Sequence, residues 1–338
     1  MKISNKAGLA RLLRAKQRIL IVTHWSPDGD AMGSSLGLYN YLKKKGHAVT
    51  VVTPNDYPEF LHWMKGHKQV INHQQQSDKA ARAVKNASLI FCLDFNDLKR
   101  ISELGVLVSA NPAPKVMIDH HPQPADFAQF SLHSVSASST CELIWEFIRQ
   151  LGDVKLIDAH IASCLYTGIM TDTGSFRFPS AGAQTHRIIA SLIEAGAKNA
   201  EIHTAVYDDN TEDRLRLLGY ALSEKLKVSH EFRTAWITLS AAEQERFRYR
   251  KGDTEGLVNY CLSIRGIRFA AFFAERDGTV KASFRSRGSF DVNQFAREHF
   301  SGGGHRNAAG GSSELDMASS VKKFTALLPR YKQQLEKP

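Results

Sequence analysis

Histidine and aspartate collect where apolar runs end. His24-x-x-x-Asp28-Gly29-Asp30 follows Ile19 to Val22, Asp94 follows Leu89 to Leu93, Asp119-His120-His121 follows Val116 to Ile118, and Asp172 comes later. Carboxylates and imidazoles at the carboxyl ends of successive strands point into the crevice where open α/β sheets hold their ligands. Each cluster alone has an ordinary reading, His24 as a satisfied histidine and Asp28-Gly29-Asp30 as a turn with a helix cap. Together they describe a two-metal site. Two acids one residue apart can face two adjacent cations, and Asp94, ending a buried strand without a local cation, would be costly to bury unless it bound metal. Oxygen and nitrogen donors without thiolate suit Mn²⁺ or Mg²⁺, and paired ions of this kind commonly serve phosphoryl chemistry.

The elements that must position these side chains are legible as alternating β-rich runs and helical patterns. Arg18 to Thr23 reads as a strand; Met32, Leu36, Tyr39 and Leu42 then recur at helical spacing until Gly46 supplies a stop. Ala48 to Thr53, Leu89 to Leu93 and Lys115 to Ile118 read as further strands suited to parallel pairing, with a polar stretch at 65–85 between the first two. The expectation is a doubly wound, mainly parallel α/β sheet. Ser139, three residues before Glu142, has the spacing of a capping box and opens a helix through Phe147 and Leu151. A further helix, about 158–170, delivers Asp172.

A second, smaller α/β domain is expected after a helical stretch. The division read from the sequence is 1–190 for the metal-binding domain, 191–228 for a helical linker region with 208–216 as connector, and 229–338 for the second domain. There Thr234 to Ser240 is strand-like, and Arg268 to Ala274 and Val280 to Arg285 flank Asp277-Gly278, a hairpin signal. Arg285 and Arg287, two residues apart, would share one strand face and make forked contacts with phosphate. Ser301-Gly302-Gly303-Gly304-His305 reads as a glycine loop offering backbone N–H groups beside His305. Arg265, Arg268 and Arg306 are further basic residues near these elements. A closing helix is expected over 317–335.

Composition sets outer bounds. The 338 residues are 43% apolar, enough for two domains with separate cores. The longest apolar runs are far short of a membrane span, and the first residues lack the apolar centre of a signal peptide, so a cytoplasmic protein without membrane partners is expected. Cys92, Cys141, Cys164 and Cys261 form no C-x-x-C pair and read as buried thiols. Lys and Arg number 44 against 34 Asp and Glu, a net charge of +10 that favours polyanions such as nucleotides or RNA.

His24-Trp25-Ser26-Pro27-Asp28-Gly29-Asp30-Ala31, Asp94, Asp119-His120-His121 and Thr171-Asp172-Thr173-Gly174 resemble the four motifs of the DHH phosphoesterase superfamily. Gly302-Gly303-Gly304-His305-Arg306-Asn307-Ala308-Ala309-Gly310 resembles the signature of its companion DHHA1 domain, and the two together cover nearly the whole chain. The layout is similar to the nanoRNase A type of oligoribonuclease, which also removes the 3′-phosphate of phosphoadenosine phosphate. The resemblance implies two Mn²⁺ ions, with Mg²⁺ as the other option. It implies His24, Asp28 and Asp94 on one ion, Asp30, Asp94, His120 and Asp172 on the other, and Asp94 as the bridge. Asp119 would orient an imidazole, and His121 would face the scissile phosphate. Gly302, Gly303, Gly304, His305, Arg285 and Arg287 would hold the rest of a short single-stranded RNA or nucleotide. Trp25 would either stack on a base or pack on the sheet. Two hydrolytic alternatives are a phosphodiesterase for linear or cyclic dinucleotide signals and an exonuclease of the RecJ kind. A third reading is an RNA-binding module without catalysis. A homodimer is among the assemblies left open.

Overall fold

A computed structural model describes residues 1–276 and 278–337, which form two compact units, Met1–Asp209 and the part from Asn210 onward. Residues 191–209 thus group with the first unit and 210–228 with the second. The first unit carries six strands: β1 (Arg18–Thr23), β2 (Ala48–Thr53), β3 (Ile71–Asn72), β4 (Leu89–Leu93), β5 (Lys115–Asp119) and β6 (Phe130–His133). All pairings are parallel, in the order β3-β2-β1-β4-β5-β6. The chain therefore reverses direction of travel between β1 and β4, the switch point at which doubly wound sheets open a crevice.

Helices cover both faces: α1 (Lys6–Leu12), α2 (Gly29–Lys44), α3 (Ser77–Asn86), α4 (Ser102–Ala110), α5 (Thr140–Gln150), α6 (Ala159–Asp172), α7 (Ala183–Glu194) and α8 (Asn199–His203). The strand residues explain the layering. Ile19, Ile21, Leu89, Phe91 and Leu93 face the core shared with α2, α5 and α6, whereas Leu20, Val22, Ile90 and Cys92 face the one under α3 and α4. Central strands apolar on both faces are what a fully covered parallel sheet requires. The polar stretch at 65–85, left without elements by its composition, holds β3 and most of α3, an amphipathic helix that buries only Ala80 and Val84. β6 and α4 also escaped the sequence reading.

Small residues let α2 and α6 approach closely. A Cβ built on Gly168 would overlap Cys141 Sγ and stand 2.9 Å from Asp30 Oδ1. The close approach brings the first turn of α2 beside α6.

The second unit begins with α9 (Glu212–Tyr220) and contains β7 (Lys227–Ser229), β8 (Thr234–Leu239), α10 (Ala241–Arg246), α11 (Leu257–Ser263), β9 (Phe269–Arg276), β10 (Thr279–Ser286), α12 (Val292–His299), β11 (Gly303–His305), β12 (Ala308–Ser313) and α13 (Met317–Glu336). Its sheet has the order β11-β12-β10-β9-β8-β7, antiparallel except for the β8–β9 pair. β9 and β10 pair as the expected hairpin; Asp277 of the turn signal lies outside the described residues. Phe269, Phe273, Phe284, Phe295, Phe300 and Phe324 fill the core under α12 and α13. The fold is thus α/β in both units, a doubly wound parallel sheet in the larger unit followed by a mixed sheet in the smaller.

Gly168→Ala is expected to lower stability by about 1–3 kcal/mol, the usual cost of overpacking, and to displace Asp30. Thermal melts and Mn²⁺ titration of the purified variant check both effects; a variant with wild-type melting and metal affinity would show that the α2–α6 contact tolerates a methyl group.

Candidate metal centre

His24 stands just past the end of β1. Its Nδ1 lies 2.8 Å from Trp25 O, so Nδ1–H donates to that carbonyl and Nε2 is turned to Asp94 Oδ2 at 3.4 Å and Asp28 Oδ1 at 3.9 Å. His120, just past β5, repeats the device. Its Nδ1 is 3.3 Å from Ala137 O, and its Nε2 is 3.6 Å from Asp94 Oδ1, 3.8 Å from Asp30 Oδ2 and 3.5 Å from Asp172 Oδ2. Fixing an imidazole through one nitrogen leaves the other as a defined donor to a metal. The donor atoms of His24, Asp28 and Asp94 lie within 4.8 Å of one another, as do those of Asp30, His120 and Asp172.

Asp94 stands between these two groups with one oxygen toward each. It follows β4 at a φ of 63°, in the left-handed region that non-glycine residues seldom enter, and its N–H donates to Ile118 O at 3.1 Å. Such a conformation persists only where the surroundings enforce it. Here the parallel neighbour β5 does so.

The first turn of α5 supports both carboxylates. Thr140 N–H donates to Asp30 Oδ2 at 2.6 Å, Cys141 N–H to Asp30 Oδ1 at 2.8 Å, and Thr140 Oγ1 to Asp94 Oδ1 at 2.9 Å. A helix N-terminus presents unpaired N–H groups and a partial positive charge, which suits an anion. Ser139 caps that turn by accepting from Glu142 N–H at 3.0 Å, while Glu142 accepts from Ser138 and Thr185 instead of closing the box. The capping signal located the helix start; that the start would face the acids has no mark in the sequence.

Charge balance decides the protonation of the metal-free centre. Burial disfavours the charged form of His24, but the hydrogen bonds and charges of Asp28 and Asp94 prevail and lift it to about 10. His120 is likewise lifted to about 9, against burial, by Asp172, Asp30 and Asp94. For Asp94, burial opposes ionisation, yet His24 and its neighbours hold the carboxyl well below its usual range. Asp30 is pushed well above that range by burial and by the charges of Asp94 and Asp172. Carboxylates so crowded, with only oxygen and nitrogen donors around them, fit hard divalent cations.

Asp119 and His121 form a buried pair beside Asp94, whose Oδ1 is 3.7 Å from His121 Nδ1. His121 Nδ1 lies 2.8 Å from Asp119 Oδ1, and His121 N–H donates to Asp119 Oδ2 at 3.1 Å. Burial and the charge of Asp94 push the Asp119 carboxyl up to about 7, and burial together with Arg100 holds the His121 imidazole well below its ordinary value. Arg100, from the turn before α4, is a cation near this pair that sequence reasoning missed, because a lone arginine in a polar loop carries no pattern. Its carbonyl accepts from the backbone N–H of Trp25, whose side chain is 44% exposed.

The DHH family, N-terminal domain, matches residues 18–169, and the DHHA1 domain matches residues 236–337. The bifunctional oligoribonuclease and PAP phosphatase NrnA of Thermus thermophilus is 33% identical, over 92% of this chain and 90% of its own length. The chain belongs to the DHH family. The NrnA of Bacillus subtilis is 27% identical over 91% of this chain and 93% of its own. The crystal structure of an exopolyphosphatase-related protein from Bacteroides fragilis superposes with a TM-score of 0.93 at 41% identity, covering 99% of both chains.

Within the DHHA1 domain the structure changes the picture of the glycine segment. Residues 303–305 form strand β11 paired with β12. Gly302 N–H donates to Ala296 O at 3.2 Å and Gly304 N–H to Asn293 Oδ1 at 3.0 Å, so these donors are engaged inside the domain and do not form an open loop of N–H groups. The glycines allow close strand approach: a Cβ on Gly302 would overlap Gly310 O. His305 ends this strand opposite Ala308. Arg285 lies within β10, its Nη1 donating to Phe284 O at 3.0 Å, whereas Arg287 lies past the last residue of β10 and lines a concavity with Arg233, Gly266, Ile267 and Arg268. The two arginines expected on one strand face therefore stand in different settings.

Because the folded values of His24 and His120 lie above the ordinary 6.5, the stability they confer is complete below about pH 6.5 and is lost as pH rises through 9 to 10. Chelator-treated protein should therefore melt at progressively lower temperature between pH 7 and 10, and His24→Gln should show a shallower decline. Parallel slopes in EDTA would mean that His24 carries no proton in the metal-free centre.

Proposed function

We propose that this chain is a two-metal phosphoesterase that hydrolyses short oligoribonucleotides to 5′-mononucleotides and removes the 3′-phosphate of phosphoadenosine phosphate. The observation that carries the reading is Asp94, held at the sheet's switch point with one oxygen toward each cluster of donors. The activities named for the Thermus thermophilus and Bacillus subtilis relatives, matched over nine-tenths of the chain, give the substrate class. His24, Asp28 and Asp94 would hold one ion and Asp30, Asp94, His120 and Asp172 the other, with Mn²⁺ preferred. Such ions supply an acidified water and stabilise negative charge on phosphate oxygens.

The chain's own residues do the positioning. Asp119 fixes the His121 ring through Nδ1, which leaves Nε2 for the substrate. Burial and Arg100 disfavour the imidazole's cation. A phosphate placed beside it brings the negative charge that favours protonation, so its proton would be gained where charge develops on phosphorus or on the departing 3′ oxygen. Arg285 would bind a phosphate one or more residues from the scissile bond, with Arg287, Gly302, Gly303, Gly304 and His305 shaping the remaining surface. No helix among the described residues is long and apolar enough to cross a membrane.

Asp94→Asn is expected to abolish hydrolysis while leaving a folded protein of lower stability, since the amide keeps the shape of the side chain but removes the charge that faces His24 and His120. Product analysis with labelled RNAs of two to five residues, phosphoadenosine phosphate and a cyclic dinucleotide in Mn²⁺ checks the wild type and the variant side by side. Substantial turnover by Asp94→Asn would sink the site, and a long single strand cleaved with higher kcat/KM than the short RNAs would move the assignment to an exonuclease of the RecJ kind.

Arg285→Ala removes a charged contact worth roughly 1.5–3 kcal/mol where desolvated, a fall of about 10- to 150-fold in kcat/KM. His121→Ala should depress kcat more than it raises KM. Unaltered steady-state constants for Arg285→Ala would take that residue out of the substrate surface.

A further inference from the structure

Three arginines far apart in sequence are brought into one row by the ladder of the DHHA1 domain. Arg233 directly precedes β8, Arg268 directly precedes β9, and Arg287 directly follows β10. Arg268 N–H donates to Arg233 O at 2.8 Å, and Arg287 N–H donates to Arg268 O at 2.9 Å. They are therefore neighbours at one end of three adjacent strands, at the usual strand separation of about 4.8 Å. With Gly266 and Ile267 they line a concavity of about 200 Å³.

Folding alone gives no reason for this row. Like charges side by side across a sheet are destabilising. Arg233 Nη1 reaches only Glu336 O at 3.4 Å, and among the described residues neither Arg268 nor Arg287 has an acidic partner. Arg233 closes the turn between β7 and β8, its N–H donating to His230 O at 3.2 Å, and its φ of 46° belongs to that turn. In that conformation its carbonyl accepts from Arg268 N–H and from Phe269 N–H at 3.1 Å, which locks the row in register. Like charges kept together in one concavity without acidic partners are explained by an anionic ligand and not by stability.

We infer that this concavity is a phosphate site, and that it anchors a backbone phosphate of single-stranded RNA. Guanidinium groups present forked donors that match phosphate oxygens. The volume is below the roughly 300–1,000 Å³ of pockets that enclose a whole small molecule, so one phosphate with the nucleoside left outside is the occupant that fits. The choice of RNA as its source rests on the hydrolase reading above; the anion chemistry does not. Arg287 thereby leaves the partnership with Arg285 that their spacing suggested and joins Arg233 and Arg268.

The test is equilibrium binding of a fluorescent RNA pentamer to the full chain in EDTA, where hydrolysis is suppressed, followed by anisotropy across a salt series and repeated with inorganic phosphate as competitor. Arg268→Gln and Arg287→Gln should each weaken the pentamer about 10-fold and make the salt dependence shallower by about 0.7 in log–log slope per lost contact. Arg287 is exposed, so its variant keeps the test decisive should Arg268→Gln fail to fold. Wild-type affinity and slope in Arg287→Gln and in any folded Arg268→Gln would overturn the site. Loss of phosphate competition without loss of pentamer affinity would overturn the RNA assignment and leave a free-anion site. Failure of the wild type to cleave RNA in Mn²⁺, with the arginine effects intact, would overturn the hydrolase reading and support this one.

Discussion

A single buried carboxylate shared by two clusters governs the first domain. Asp94 can face His24 on one side and His120 on the other only because β4 lies between β1 and β5, and because the chain turns into a left-handed conformation directly after the strand. The sheet order, the apolar strands covered on both faces, and the backbone hydrogen bond from Asp94 to β5 all serve that placement. Without the shared acid the two groups of donors would have no side chain in common.

Electrostatics explains how such crowding is tolerated. Asp30 and Asp94 are each about 2% exposed, where unpaired carboxylates are costly. Backbone N–H groups at the start of α5 take both oxygens of Asp30, and imidazolium character on His24 and His120 offsets the charge of Asp94. In the metal-free protein, protons on histidine thus occupy the electrostatic role that cations would assume. A cation bound there would for that reason displace protons.

Most of the acids and histidines were legible because they follow a run of apolar β-formers, where a charged group is conspicuous; Asp172, which ends helix α6, was legible from its motif. The parallel sheet was legible from the same runs. What escaped notice depends on contacts between distant residues or on the backbone. The N–H groups of Thr140 and Cys141 act independently of side-chain type, Arg100 belongs to no periodic pattern, and the row of Arg233, Arg268 and Arg287 exists only once three strands are in register. The glycines at 302–304 were read as a loop because glycine disfavours strands in isolation. In the folded domain their missing side chains admit the backbone of β12, and the segment pairs. Strand β6 and helices α3 and α4 were missed because they are short or half-polar, with too few buried residues to set a period.

Helix α6 acts as a ruler. Gly168 fixes it against α2 and α5, and Asp172, four residues on, is its last residue and lies 3.5 Å from His120. Each residue of an α-helix turns the chain by about 100°, so inserting or deleting one between these positions would swing the carboxylate away from the centre even if every contact upstream survived. Changes in length among relatives should therefore be admitted in the surface loops and excluded from this one turn, which makes the Gly168–Asp172 spacing a more stringent criterion for a working centre than the identity of any residue between them.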